Sequence, residues 1–225
     1  MKRALLSWSS GKDSAWSLQL LRQNPAIEVA GLLTTINEAF DRVAMHAVRR
    51  VLLERQCEAA GLPLWAVPIP WPCSNQEYEA RMAEVCRRAV SESIDTIAFG
   101  DLYLAEIRAY REKQLAGTGL EPMFPVWNIP TDALARDMVR SGLHAKLTCI
   151  DPKILPASFA GRDFDDQLLA DLPSGVDPCG ENGEFHTFAY EGPMFQWPVP
   201  VTVCDVVERD GFVFADLMAA EGAAR

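Results

Sequence analysis

Four short, mostly apolar runs mark the first hundred residues: ALLSW at 4–8, VAGLLTT at 29–35, LWAVPI at 64–69 and TIAF at 96–99. Strands this apolar have to be covered on both faces, as in a parallel sheet between two layers of helices. The segments between them read as those helices. Residues 14–22 put Ala15, Leu18 and Leu21 on one face before Asn24 and Pro25 stop them. Residues 46–60 carry Val48, Val51, Leu52 and Ala59 and end at Gly61; residues 76–92 carry Tyr78, Met82, Val85 and Ala89. Alternation of this kind predicts an α/β fold, a Rossmann-like doubly wound parallel sheet.

Beyond residue 120 the pattern loosens. A strand is expected near 124–127, a helix over 131–141 ending at Gly142, and a half-alternating strand over 145–150. One short helix is expected within 151–176, then an Asn182-Gly183 turn and two strand-like runs at 199–203 and 211–214. The reading is a first domain over 1–125 and a smaller α+β domain over 126–225.

At 225 residues the chain can bury one full core with an appendage. Its formal charge of −10 repels phosphate backbones, so no nucleic-acid partner is expected. A local nucleotide pocket is compatible with that charge, because backbone N–H groups and one or two cations suffice. The six cysteines form no C-x-x-C and there are three histidines, which argues against structural zinc; buried, inert thiols are expected. No apolar run approaches the ~20 residues that span a membrane, and MKRALLSWSS does not read as a signal peptide. A cytoplasmic protein with no membrane partner is expected, and a homo-oligomer stays open.

Where the first strand gives way to the first helix stand Ser9, Ser10, Gly11, Lys12, Asp13 and Ser14. A strand-to-helix loop aims free N–H groups and the positive end of the helix dipole at one point. Gly11 lets the backbone come close, Lys12 offers a cation to a phosphate oxygen, and Asp13 can hold a magnesium ion. The loop lacks the first glycine of a Walker-type P-loop. It resembles the S-G-G-x-D-S signature of the PP-loop ATP pyrophosphatases, which split ATP between the α and β phosphates. Ser10 stands where that family has its first glycine; if the position needs φ > 0, serine costs about 1 kcal/mol.

Further segments resemble the diphthine–ammonia ligase family. They are Phe99, Gly100, Asp101 and Leu102 followed by Glu106, Arg108 and Glu112; Phe124, Pro125, Val126 and Trp127; and CGENGEFHT at 179–187, followed by Gly192 and Pro193. Order and spacing agree over about 4–195, and the chain is most similar to short, bacterial-type members. The resemblance implies a PP-loop ATP-binding domain followed by a smaller domain specific to these ligases. Eukaryotic members use ATP and ammonia to amidate the diphthine carboxylate on elongation factor 2. Bacteria lack diphthamide, so membership leaves the acceptor open. Ile107 also precedes Arg108 where many diphthine ligases have histidine.

In such a sheet the ligand lies at the carboxyl ends of the first and fourth strands, so the loops at 9–14 and 100–101 should face each other. Asp101 is read as a site residue or a helix cap. Thr34 ends the second strand, where related enzymes hold adenine; β-propensity alone also explains it. His46, in a segment resembling the family's M-H, is a nucleotide contact or a cap. Around the Asn-Gly turn, Glu181, Glu184, His186 and Thr187 either flank a simple hairpin or bind ammonium and place a carboxylate acceptor. Arg108 either pairs with Glu112 at i, i+4 or clamps that carboxylate, with Glu106 beside it. The expected activity is Mg2+- and ATP-dependent amidation of a carboxylate, on a small molecule or a protein side chain, by ammonia. Lys12, Asp13, Asp101, Glu184 and His186 are the expected catalytic groups. A non-catalytic nucleotide sensor or a simple ATP hydrolase is the alternative; RNA sulfur transfer is disfavoured by the acidic charge.

Overall fold

Leu5 and Leu6 are neighbours on β1 (Lys2–Ser7), both sealed from solvent, yet they belong to two different cores. A central strand with opposite faces each buried produces this split. The structure, a computed structural model, describes residues 1–43 and 48–220. After β1 come α1 (Lys12–Gln23), β2 (Ile27–Asn37), β3 (Arg42–Val43), α2 (Arg50–Ala60), β4 (Leu64–Ile69), α3 (Asn75–Ser91), β5 (Thr96–Ala98), α4 (Ala105–Leu115) and β6 (Glu121–Met123). The rest comprises α5 (Thr131–Arg140), β7 (His144–Ile150), a 3-10 turn (Ala157–Phe159), α6 (Asp166–Asp171), β8 (Phe185–Glu191), β9 (Val201–Arg209) and β10 (Phe212–Ala219).

Strands β4, β2, β1, β5 and β6 lie side by side, all parallel, and β3 pairs antiparallel with the end of β2. The chain steps outward from β1 to one edge, then returns to fill the other, so the order reverses between β1 and β5. Carboxyl ends on either side of that reversal leave a crevice, since their connections depart in opposite directions. The second sheet, β8-β7-β10-β9, is antiparallel. It packs on the Leu6 side: Leu6, Leu18 and Leu52 share one core with Leu147, Phe185 and Phe188. On the other side Leu5, Leu33, Ile97 and Phe99 pack against Cys86 and Ala89 of α3.

Several boundaries differ from the sequence reading. The strand expected near 124–127 is instead Glu121–Met123, and 125–128 turn, with Asn128 at φ 58°. Helix α2 starts at Arg50, because Arg49 is still extended and the Val48 carbonyl accepts from Val43 N–H. The strands expected at 199–203 and 211–214 grow to Val201–Arg209 and Phe212–Ala219, since half-exposed strands hide their length behind polar positions. Cys57, Cys86, Cys149 and Cys179 are buried, and burial pushes the Cys57 and Cys149 thiols up to about 12. Cys73, however, is only half-buried and Cys204 is exposed on the edge strand β9, contrary to the expected burial. No helix among the described residues is long and apolar enough to cross a membrane.

One ion cluster ties the two sheets. Asp216 on β10 accepts from Arg42 (2.8 Å) and from both Nε (3.2 Å) and Nη2 of Arg49. Burial opposes ionisation of Asp216, but hydrogen bonds from Arg49 and Arg42 outweigh it and hold its pKa at about 2. The folded value lies below the ordinary aspartate value of about 4, so this stabilisation is full above pH ~4 and is lost as pH falls through about 2. Asp216→Asn is expected to lower stability by about 1–2 kcal/mol at pH 7, or roughly 2–8 °C in Tm. The gap from wild type should close in thermal melts between pH 4 and 2.

Candidate functional site

β1 delivers the chain to Ser10, which takes φ 70°, the left-handed region a glycine adopts freely. Ser10 is fully buried, and among the described residues its Oγ is a buried side-chain oxygen with no hydrogen-bond partner. Gly11 then opens α1. A Cβ on Gly11 would lie 3.2 Å from the Thr187 carbonyl oxygen and 3.3 Å from Thr187 Oγ1, so loop and β8 approach as backbone against backbone. Ser9 Oγ accepts from Gly11 N–H (3.3 Å) and lies 3.2 Å from Ser14 Oγ; the Ser14 hydroxyl donates to the Gly11 carbonyl (2.9 Å). A Cβ on Gly100 would lie 3.2 Å from the Ser14 nitrogen, so the loops after β1 and β5 touch.

Lys12 does not reach toward the loop's open side. It is 1% exposed, and its ammonium donates to the Cys179 carbonyl and to both Asp13 oxygens (2.9 and 3.0 Å). The Phe164 and Phe185 rings each lie 5.4 Å from Nζ. Burial pulls the Lys12 pKa down, but the nearby Asp13, Cys179 and Glu181 outweigh it and leave it above the usual lysine value.

The stretch at 179–187 wraps over this loop. Lys12 N–H donates to Thr187 Oγ1 (3.0 Å), which caps the first turn of α1 from the second sheet. Glu181 accepts from Leu102 N–H (2.8 Å) and Tyr103 N–H (3.4 Å), fastening the stretch to the loop after β5. Glu184 is buried and accepts from Asp177 N–H (3.1 Å), Asn182 N–H (2.9 Å) and the Asn182 amide (3.0 Å). Its carboxylate therefore holds the turn that Gly183 N–H closes on the Gly180 carbonyl (3.2 Å). That turn joins no hairpin, because β8 pairs with β7. Burial, and then the charge of Lys12, push His186 down to about 4, which leaves it a neutral imidazole at pH 7.

Asp13, Asp101 and Glu181 bring three carboxyls to one neighbourhood. Burial raises each, and Glu181 reaches about 7 with Asp13 and Asp101 adding to the effect against its two backbone hydrogen bonds. Asp101 also faces Arg111 Nε at 3.4 Å. Crowded anions of this kind are relieved by a cation. Beside them, at the ends of β1 and β2, a cavity of about 360 Å³ is lined by Ser9, Leu33, Thr34, Tyr78, Met82 and Phe99. Its apolar wall suits a nucleobase and its Ser9 end adjoins the glycine-cradled loop, so ATP fits. Mg2+ on phosphates needs one or two protein carboxylates, and Asp13, whose oxygens both accept from Lys12, is a carboxylate that could hold it; among the described residues no group of three ligands forms a metal site by itself.

Of the other expected residues, Thr34 is at the cavity, while Glu106 and Arg108 lie on α4. Thr34 lines the cavity and donates to the Trp8 carbonyl (2.8 Å). Glu106 is exposed in the first turn of α4. Arg108 pairs with Glu112 (2.8 Å) and stacks on Phe124 and Trp127, at 4.7 and 4.8 Å from their centroids. His46 lies outside the described residues. Sequence reasoning missed Gln56, Asp177 and Arg111. For Gln56 a signal existed: it falls in the apolar phase of α2 with Leu52, Leu53, Cys57 and Ala60, where a polar residue is out of place.

The strand reversal with a small-residue loop after its first strand defines a nucleotide-binding α/β domain of the PP-loop type. The family model for the diphthamide synthase N-terminal domain matches residues 1–122, and that for the C-terminal domain matches 130–214. The chain belongs to the diphthamide synthase family. It is similar to proteins named diphthine–ammonia ligase: one from Danio rerio is 26% identical over 92% of this chain and 89% of that protein. Those from Bos taurus and Homo sapiens are 23% and 24% identical, each over 92% of this chain and 85% of the relative.

Two measurements follow from this geometry. Ser10→Gly should remove left-handed strain and an orphaned hydroxyl at a small entropic cost, a net gain of about 1 kcal/mol or roughly 2–4 °C in Tm. For Glu181 the folded pKa of about 7 lies above the unfolded value of about 4.3, so stability is full below pH ~4 and falls as pH rises through 7. Glu181→Gln should flatten that decline in melts from pH 4 to 8; an unchanged slope would exclude a shifted Glu181.

Proposed function

We propose that this chain is an ATP-dependent, AMP-forming ligase that joins ammonia to a carboxylate, as the names of its diphthine–ammonia ligase relatives suggest. The supporting observation is the meeting of three segments, 9–14, 100–101 and 179–187, beside a base-sized cavity at the strand reversal. Nucleotide and acceptor chemistry need to share one crevice, and this is where the fold supplies it.

A free carboxylate is a poor acyl electrophile near neutral pH. Its oxygen would attack the α-phosphorus, the bond to the β-phosphate oxygen would break and pyrophosphate would leave. Ammonia would then add to the acyl carbon, expel AMP and lose a proton. Bound Mg2+ would neutralise charge on the phosphates, with Asp13 as its protein ligand. The amides of the 9–14 loop other than those of Gly11 and Lys12, which Ser9 and Thr187 take, would bind phosphate oxygens, with the positive end of α1 behind them. Lys12 couples that loop to residue 179. Asp101 and Glu181 suit an ammonium ion, and a carboxyl of pKa about 7 is matched to taking its proton. His186 and Thr187 would place the acceptor, with Glu184 holding the turn they grow from. Arg108 and Glu106 form an outer rim. The acceptor is a carboxylate on a small molecule or a protein side chain.

The test is to incubate the protein with ATP, Mg2+, ammonium and candidate acceptors, and to separate the nucleotide products. AMP with pyrophosphate is expected; ADP with phosphate would mark an ATP hydrolase, and neither a sensor. Asp13→Asn and His186→Asn should each lower turnover by ~10²-fold or more while the fold persists by circular dichroism. Wild-type turnover in both variants would sink these assignments.

A further inference from the structure

Gln56 is the one buried side-chain amide among the described residues, and three parts of the molecule meet through it. It sits on α2 with no exposed surface. Its Oε1 accepts from Trp8 Nε1 (3.0 Å), just past β1. Its Nε2 donates to the Ser10 carbonyl (3.0 Å) in the phosphate loop and to the Ala189 carbonyl (2.5 Å) on β8. The indole can only donate and the two carbonyls only accept, so the amide has one satisfactory orientation, and both of its donors are used. The Ser10 carbonyl receives a second bond, from Ala189 N–H (2.9 Å). Meanwhile Ser10 is held at φ 70° with a hydroxyl that gains nothing in return. A serine left to itself would leave the left-handed region.

We propose that Gln56 is the positioning residue of the 9–14 loop: it pins the Ser10 peptide in the conformation a glycine would adopt freely, and ties that peptide to β8. The loop's N–H groups are thereby aimed by a side chain from α2, and β8, with the second sheet, cannot move relative to α2 without disturbing them. A serine can occupy this place because the amide outweighs its conformational preference. The role rests on the nucleotide reading only for its purpose; the pinning itself needs no ligand.

The test compares Gln56→Met, which fills the volume without donors, with and without Ser10→Gly. Hydrogen exchange of the unliganded protein reads the loop directly. Gln56→Met should speed exchange in 9–14 and 187–190 at least tenfold while α3 stays at its wild-type rate. Adding Ser10→Gly should recover about fivefold of the loss in the loop, because glycine holds φ > 0 unaided. ATP affinity, measured by titration with Mg2+, should fall and recover in parallel. If Gln56→Met does not fold, Gln56→Glu, which keeps the acceptor for Trp8 but turns an oxygen on two carbonyls, should show the same loop exchange. Loop exchange at the wild-type rate, or a loss that Ser10→Gly leaves untouched, would overturn the proposal and leave Gln56 a core filler. A wild-type protein that binds no ATP would count against the nucleotide reading instead, since exchange decides the pinning without it.

Discussion

The first turn of α1 is capped from a different sheet. Thr187 Oγ1 takes the Lys12 N–H and Ala189 N–H finds the Ser10 carbonyl, so β8 supplies bonds that a helix start normally finds in its own flank. Gly11 permits the approach, since a side chain there would press on the Thr187 backbone. Everything near the crevice depends on this docking: the loop has its shape, the stretch at 179–187 its place, and the two halves share one core through Leu6, Leu18, Phe185 and Phe188.

Charge in the crevice is organised around a scarcity of cations. The chain carries ten more acidic than basic residues, and the one lysine in the loop is buried against a carbonyl, a carboxylate and two aromatic rings. Asp13, Asp101 and Glu181 remain crowded, with Arg111 beside Asp101. Crowded carboxyls favour a cation nearby, and on the proposed reading affinity for phosphate would come from backbone amides and a metal more than from side-chain charge. Acidic composition and an anionic substrate are compatible on those terms.

Much of the fold was legible because buried strands in a parallel sheet must be apolar throughout. The runs at 4–8, 29–35, 64–69 and 96–99 correspond to β1, β2, β4 and β5, and the loop after β1 announced itself by Gly11 beside small hydroxyls. The second half was harder. β9 and β10 are partly exposed and carry polar residues along their length, and β8 hides behind a turn signal that elsewhere means a hairpin. The apolar 124–127 run misled for a physical reason: Phe124 and Trp127 serve as a platform for Arg108.

By itself the sequence determined the strand alternation, the phosphate-type loop and the reactive stretch 170 residues later, because these depend on local periodicity and on residue types in consecutive order. Tertiary structure alone decided which groups share a space. It turned Lys12 inward to Cys179, spent the Glu184 carboxylate on two backbone N–H groups, and raised Glu181 by burial beside Asp13 and Asp101. It also made Gln56, one polar letter in a helix, the partner of Trp8, Ser10 and Ala189. Hydrogen bonds and desolvation act over a few ångströms, and residues 46 and 133 positions apart come that close only after the sheets have packed.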